Sequence, residues 1–199
     1  CRTGGMFLNW FKNEFCTKEQ LLADKTGRSV FQLMDEAACS SPPLAKGLIA
    51  LPYLDGSVQP QSLPNAKGIF YRFGLEHTRA DFIRCILESI GYMLRENLEL
   101  MQKKLPCPIS KIYSSGGGSR SDIWCQIKAD ITNLPLYVPS DNELTSIGAA
   151  QLALNKTIGE IKPAASPRCY LPQQTVVYEY QKGYEQYQSL IQTIRPLFL

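Results

Sequence analysis

Three consecutive glycines, Gly116-Gly117-Gly118, are the residues in this sequence best placed to do chemistry. They follow a short apolar run, ISKIYS at 109–114, and precede a segment with helical spacing that runs to about Thr132. Glycine has no Cβ, so the backbone of such a turn can come close to a ligand. A helix start adds unpaired N–H groups and the positive end of a dipole, which suits an anion such as phosphate. A Cβ at Gly117 would block that approach, and a positive φ is expected there. The pattern is not a Walker loop, because no Gly-Lys-Ser/Thr follows, and it lacks the third spaced glycine of the dinucleotide fingerprint. Two readings stay open on these residues alone: a phosphate or nucleotide site, and a tight strand-to-helix turn that binds nothing.

Other chemistry-bearing residues give bland readings. Asp55-Gly56-Ser57 has the look of a phosphate motif but leads into a Pro-containing loop, so a turn without a hairpin partner is expected. His77, the single histidine, sits just before the helix start at Thr78 and reads as a structural residue. Cys125 follows the glycines and reads as a core cysteine, and Glu88 as a paired structural carboxylate. Gly148-Ala149-Ala150 with Ala153 forms a small-residue stripe that suits close packing.

These residues need elements to hold them. Apolar positions Phe7, Leu8, Trp10, Phe11 and Phe15 predict a helix over 5–15. Two short helices are expected at 18–24 and 30–38, with a break at Ser40-Ser41-Pro42-Pro43. Strands are expected at 47–54 and 69–74, separated by an irregular loop. The longest helix spans 78–105, with Thr78 and Asp81 as an N-cap signature and Pro106 beyond its end. Ser119 with Asp122 is expected to cap the helix after the glycines. A strand at 135–139, a helix at 145–154 and a tyrosine-bearing helix at 178–197 complete the chain. Strands alternate with helices after residue 69, which places the fold in the α/β class.

Composition excludes several functions. Hydrophobic residues make up 44% and charged residues 20% of the 199, ordinary for a folded globular chain and too apolar for global disorder. A net charge of +3 without a dense basic block argues against nucleic acid. No apolar run reaches the roughly 20 residues of a membrane-spanning helix, so no membrane partner is expected. Seven cysteines, an odd number, show no C-x-x-C. That argues against disulfide staples and a zinc site, and for a reducing, cytoplasmic setting. The chain opens on Cys1 directly ahead of an amphipathic segment and reads as a piece of a longer protein.

Taken in order, LPYL, NAKGIF, GLEHTRADFIRCILESI, GGGSRSDIWCQIKADITNLPLYVP and ELTSIGAAQLA closely resemble the C-terminal domain of the FGGY carbohydrate kinases, with a xylulokinase-like cast. The resemblance covers nearly the whole chain and is most specific over 116–154. It implies an actin-like ATPase fold of ribonuclease-H-like domains, of which residues 1–199 are the C-terminal, nucleotide-binding one. It implies that the family's N-terminal phosphate loop, its catalytic aspartate and most sugar contacts lie outside this chain. It also implies that Gly117, flanked by Gly116 and Gly118, touches the nucleotide and that Ser121 can reach the adenine. Gly5 and Asn9 would line the other side of the site. The cofactors implied are ATP and Mg, the Mg held mainly by phosphates and the absent domain. The partners implied are ATP or ADP and a sugar held mainly by that domain, with a homodimer left open. A non-catalytic nucleotide-binding or regulatory domain on the same fold is the alternative.

Overall fold

The computed structural model describes residues 4–58, 62–140 and 166–198. Helices α1 (Gly4–Phe15), α2 (Thr17–Thr26) and α3 (Val30–Cys39) open the chain. Phe7, Leu8 and Phe11 form the buried stripe of α1, while Trp10 and Phe15 stay exposed. Gly27 stops α2 in the left-handed conformation, φ 68°, with its N–H on the Ala23 carbonyl. Ser29 and Gln32 then start α3 as a capping box.

Helix α4 (Arg79–Gln102) starts where the sequence places it. The Asp81 carboxylate accepts from both the N–H and the hydroxyl of Thr78, at 2.7 and 2.8 Å. Its spacing predicts one apolar stripe, yet Ile83 through Met93 are all buried, so this half of the helix runs through the core. Gly91 lets α4 cross α5 (Asp122–Thr132) closely: a Cβ there would lie 2.6 Å from Ile131 Cδ1.

Full burial of α4 brings Arg84 and Glu88 into the interior, where charges must be paired. Arg84 donates from Nε to Glu88 at 2.9 Å, from Nη1 to the Ser41 carbonyl at 3.0 Å and from Nη2 to the Tyr180 hydroxyl at 2.9 Å. Tyr180 donates onward to Glu88 at 2.8 Å, and the Leu44 N–H donates to the same oxygen at 3.0 Å. That last bond holds an unusual turn at Pro43–Gly47, in which Leu44, Ala45 and Lys46 all have positive φ. Such backbone is strained for residues with a Cβ, so it needs tertiary support. Lys46 Nζ on Asp81, at 3.0 Å, gives a second anchor.

Two small sheets flank this core. Strands β1 (Ile49–Leu51) and β2 (Ile69–Tyr71) pair antiparallel, Ile49 opposite Tyr71. Strands β3 (Ile112–Tyr113) and β4 (Leu136–Val138) pair parallel, Ile112 opposite Leu136, with α5 as the crossover. This β–α–β unit is the α/β alternation expected from the sequence. Strand β5 (Arg168–Tyr170) adds antiparallel to β4, and α6 (Gln174–Ile194) packs Tyr180, Tyr184 and Tyr187 inward.

Several expectations need correction. All strands are shorter than predicted, β5 was not anticipated, and the tail helix begins earlier, at Gln174. Ser119 does not cap α5: it is buried in a 3-10 turn (Gly117–Ser119) with its hydroxyl on the Gly116 carbonyl, and Ser121 is the cap. Asp55-Gly56-Ser57 is a turn, as expected, but it has a partner, because Ser57 bridges to Leu63. The helix expected at 145–154, with the Gly148-Ala149-Ala150 stripe, lies outside the described residues.

Candidate functional site

The chain leaves β3 at Ser114, whose N–H reaches the Tyr137 carbonyl at 2.9 Å and so extends the ladder up to the glycines. Gly116 turns the chain with φ 84° and ψ −169°, a combination reserved almost wholly for glycine. Backbone bonds from Ser119 N–H to Gly116 and from Arg120 N–H to Gly117 close the turn. Ser121 is extended, and its hydroxyl oxygen accepts from the Trp124 N–H at 3.2 Å to begin α5. This hydrogen bond uses one of the free donors at the helix start.

Between this turn and the starts of α1 and α3 lies a cavity of about 480 Å³. Gly5 and Leu8 line it from α1. Ser29, Phe31, Gln32 and Asp35 line it from the α3 side, and Gly117, Gly118, Arg120, Ser121 and Trp124 from the turn and α5. The Trp124 ring forms the floor under Gly118 and is fixed by its Nε1–H on the Leu87 carbonyl, at 3.1 Å. Lys128 Nζ sits 4.3 Å from that ring's centroid. Burial pulls the Lys128 ammonium down from its ordinary pKa. Burial pushes the Asp35 carboxyl up, the nearby Ser121 hydroxyl pulls it back, and the charge of Asp122 adds to the rise.

The three glycines are glycine for different reasons. Gly116 needs its backbone angles. At Gly118 a Cβ would lie 2.9 Å from the Trp124 ring. Gly117 has neither reason: its φ is not positive, which corrects the expectation, and a Cβ would meet nothing within 4 Å among the described residues. Gly5 is the same. Among the described glycines from Gly5 onward, only Gly5 and Gly117 lack both a left-handed φ and a described neighbour to avoid, and both line this cavity.

Of the six residues named from the sequence, Gly5, Gly117, Gly118 and Ser121 meet at the cavity. Gly116 shapes the turn behind it. Asn9, one helical turn beyond Gly5, is exposed and not part of the lining. Sequence reasoning missed Phe31, Gln32, Asp35 and Trp124. A signal existed in α3, where Phe31 and Asp35 are spaced i, i+4 away from the buried Leu33, Met34 and Ala38. Cys125 and Glu88 read as expected. Cys125 is fully buried and its thiol is pushed up by burial, the opposite of an activated nucleophile. His77 serves its loop, with Nδ1 accepting from the Gly74 N–H at 2.9 Å.

This arrangement coincides with a known class of proteins. The profile of the C-terminal domain of the FGGY family of carbohydrate kinases matches residues 1–156. The chain belongs to that family, and the domain has the actin-like ATPase fold. It is 32% identical over 154 residues to a gluconokinase of Bacillus licheniformis, covering 77% of this chain and 30% of the relative. It is 34% identical over 149 residues to a xylulose kinase of Staphylococcus epidermidis, covering 75% and 28%. A solved xylulose kinase from Rhodospirillum rubrum superposes with a TM-score of 0.77 at 26% identity, covering 98% of this chain and 38% of that one. The chain thus spans about 30% of the length of the curated relatives it matches.

Proposed function

We propose that residues 1–199 are the nucleotide-binding domain of an ATP-dependent carbohydrate kinase, and that the cavity between α1, α3 and the glycine turn holds the adenosine end of ATP. One observation carries this reading: Gly5 and Gly117 face the same cavity, and no described neighbour requires either to be glycine. An occupant whose atoms lie where a Cβ would go supplies the reason. The size fits, since small-molecule sites run from about 300 to 1,000 Å³. So does the lining, in which Leu8, Phe31 and Trp124 offer apolar surface for a flat base and Gln32, Asp35 and Ser121 offer polar groups.

ATP, when bound, supplies the phosphoryl group. The residues of this chain bind and orient its adenosine end. Mg is carried by the phosphates and by the rest of the protein: among the described residues no cluster of three or more His, Cys, Asp or Glu side chains could hold a metal ion. The base that activates the sugar hydroxyl and the contacts that select the sugar belong to the part of the relatives that this chain does not match. A sugar, sugar acid or polyol is the acceptor, and the cytoplasm is the compartment.

Calorimetry or NMR titration of this chain with ADP tests the reading. With half the phosphate contacts elsewhere, and each net hydrogen bond worth about 0.5–1.5 kcal/mol, a dissociation constant on the order of millimolar is expected. Micromolar binding would show a complete site and overturn the half-site reading. Sugar-dependent ADP release by this chain alone would overturn it too.

A further inference from the structure

Asp35 of α3 lines the cavity together with Ser121, whose oxygen already accepts from the Trp124 N–H at 3.2 Å. An ionised carboxylate can only accept hydrogen bonds. Three residues earlier on the same helix, Gln32 accepts the Ser29 N–H through Oε1 at 3.2 Å, which identifies Nε2 as the donor end of the amide. Side chains three apart on a helix are neighbours. The α3 wall of the cavity thus carries an acceptor at Asp35 beside a donor at Gln32, along an edge flanked by Phe31 and Trp124.

We infer that Asp35 reads the base: its carboxylate accepts a hydrogen bond from the exocyclic amino group of adenine. The inference rests on the cavity being the nucleotide site. Adenine offers an amino donor next to the ring acceptor N1, the complement of the Asp35 and Gln32 pair. A purine without the amino group keeps the ring, the sugar and the phosphates but leaves the carboxylate without its partner. A buried polar group left unpaired is the strong form of discrimination. Asp35 touches the ligand without touching the reacting phosphate, so it sets specificity and takes no part in the phosphoryl transfer.

The test is an NMR titration of this chain with ADP and with purine riboside 5′-diphosphate, which has hydrogen in place of the amino group. The wild-type chain is expected to bind ADP about tenfold more tightly, as one charge-assisted hydrogen bond provides. Asp35→Asn presents a donor beside Ser121, and Asp35→Ala presents neither donor nor acceptor. In both, the preference should fall to about one or reverse. Equal affinities in the wild-type chain would overturn the inference, as would a tenfold preference that survives in either variant. In both of those cases the nucleotide reading stands. No shift with ADP at Gly117 or Ser121 would overturn the nucleotide reading itself, and this inference with it.

Discussion

Around Glu88 the polar groups are engaged within the protein, whereas around Gly117 they are engaged only on their inner side. The Glu88 oxygen takes hydrogen bonds from Arg84, Tyr180 and Leu44, and ties α4 to α6 and to the left-handed turn at 43–47. At the cavity, Trp124 is fixed from below by Leu87 and Gln32 accepts the Ser29 N–H, while no described atom lies within 4 Å of a Cβ at Gly5 or Gly117. The first cluster positions helices. The second is a set of groups braced from behind and free in front, which is how a preformed binding site is built. Substitutions at the two places should therefore separate stability from binding.

The largest effect is expected at the hub. Arg84→Ala leaves Glu88 buried without its cation and should lower unfolding free energy by about 3–5 kcal/mol, measured by urea denaturation. The hub also has a pH signature. Burial pushes Glu88 up to about 7, against the opposing pull of Arg84, Tyr180 and Leu44. A folded-state value above the unfolded one means that the folded protein binds the extra proton. The contribution is present below about pH 4.5 and lost as pH rises through about 7, by up to roughly 3 kcal/mol. Glu88→Gln should flatten that part of the stability–pH curve. An unchanged slope would show that Glu88 is ionised throughout.

At the site, Gly118→Val drives a side chain into the Trp124 ring and should cost about 1–3 kcal/mol as overpacking. Thr78→Ala removes the α4 capping box, remote from the cavity, and should cost about 1 kcal/mol with ADP shifts unchanged. If Thr78→Ala abolished nucleotide shifts, the separation of the two regions would fail.

The sequence showed the parts of this picture that depend on local chemistry. Thr78 with Asp81 announced α4, Gly116 to Gly118 announced the turn, and the resemblance paired Gly5 with Gly117 across most of the chain. It did not show the turn at 43–47, because Leu44, Ala45 and Lys46 adopt backbone their own side chains disfavour, and the partner that holds them, Glu88, lies in another helix. Strand β5 is three residues, Arg168–Tyr170, too short for an alternating pattern to register. The cap was misplaced by two residues because Ser119 and Ser121 both precede a plausible helix start, and only the buried bond of Ser119 to Gly116 distinguishes them. The α3 wall was missed for a different reason. Periodicity shows which face of a helix is polar but not what stands opposite it, and Asp35 belongs to no motif that would single it out before the cavity is seen.

The most direct measurement compares Gly117→Val with the wild-type chain for ADP binding by NMR and for thermal stability. Among the described residues no atom lies within 4 Å of the added Cβ, and no positive φ is violated. Stability should therefore stay within about 0.5 kcal/mol, as for substitutions away from structural features. ADP-induced shifts at Gly118 and Ser121 should disappear. Retained shifts, or losses of stability and affinity that run in parallel, would contradict the account and leave the glycines as a structural turn.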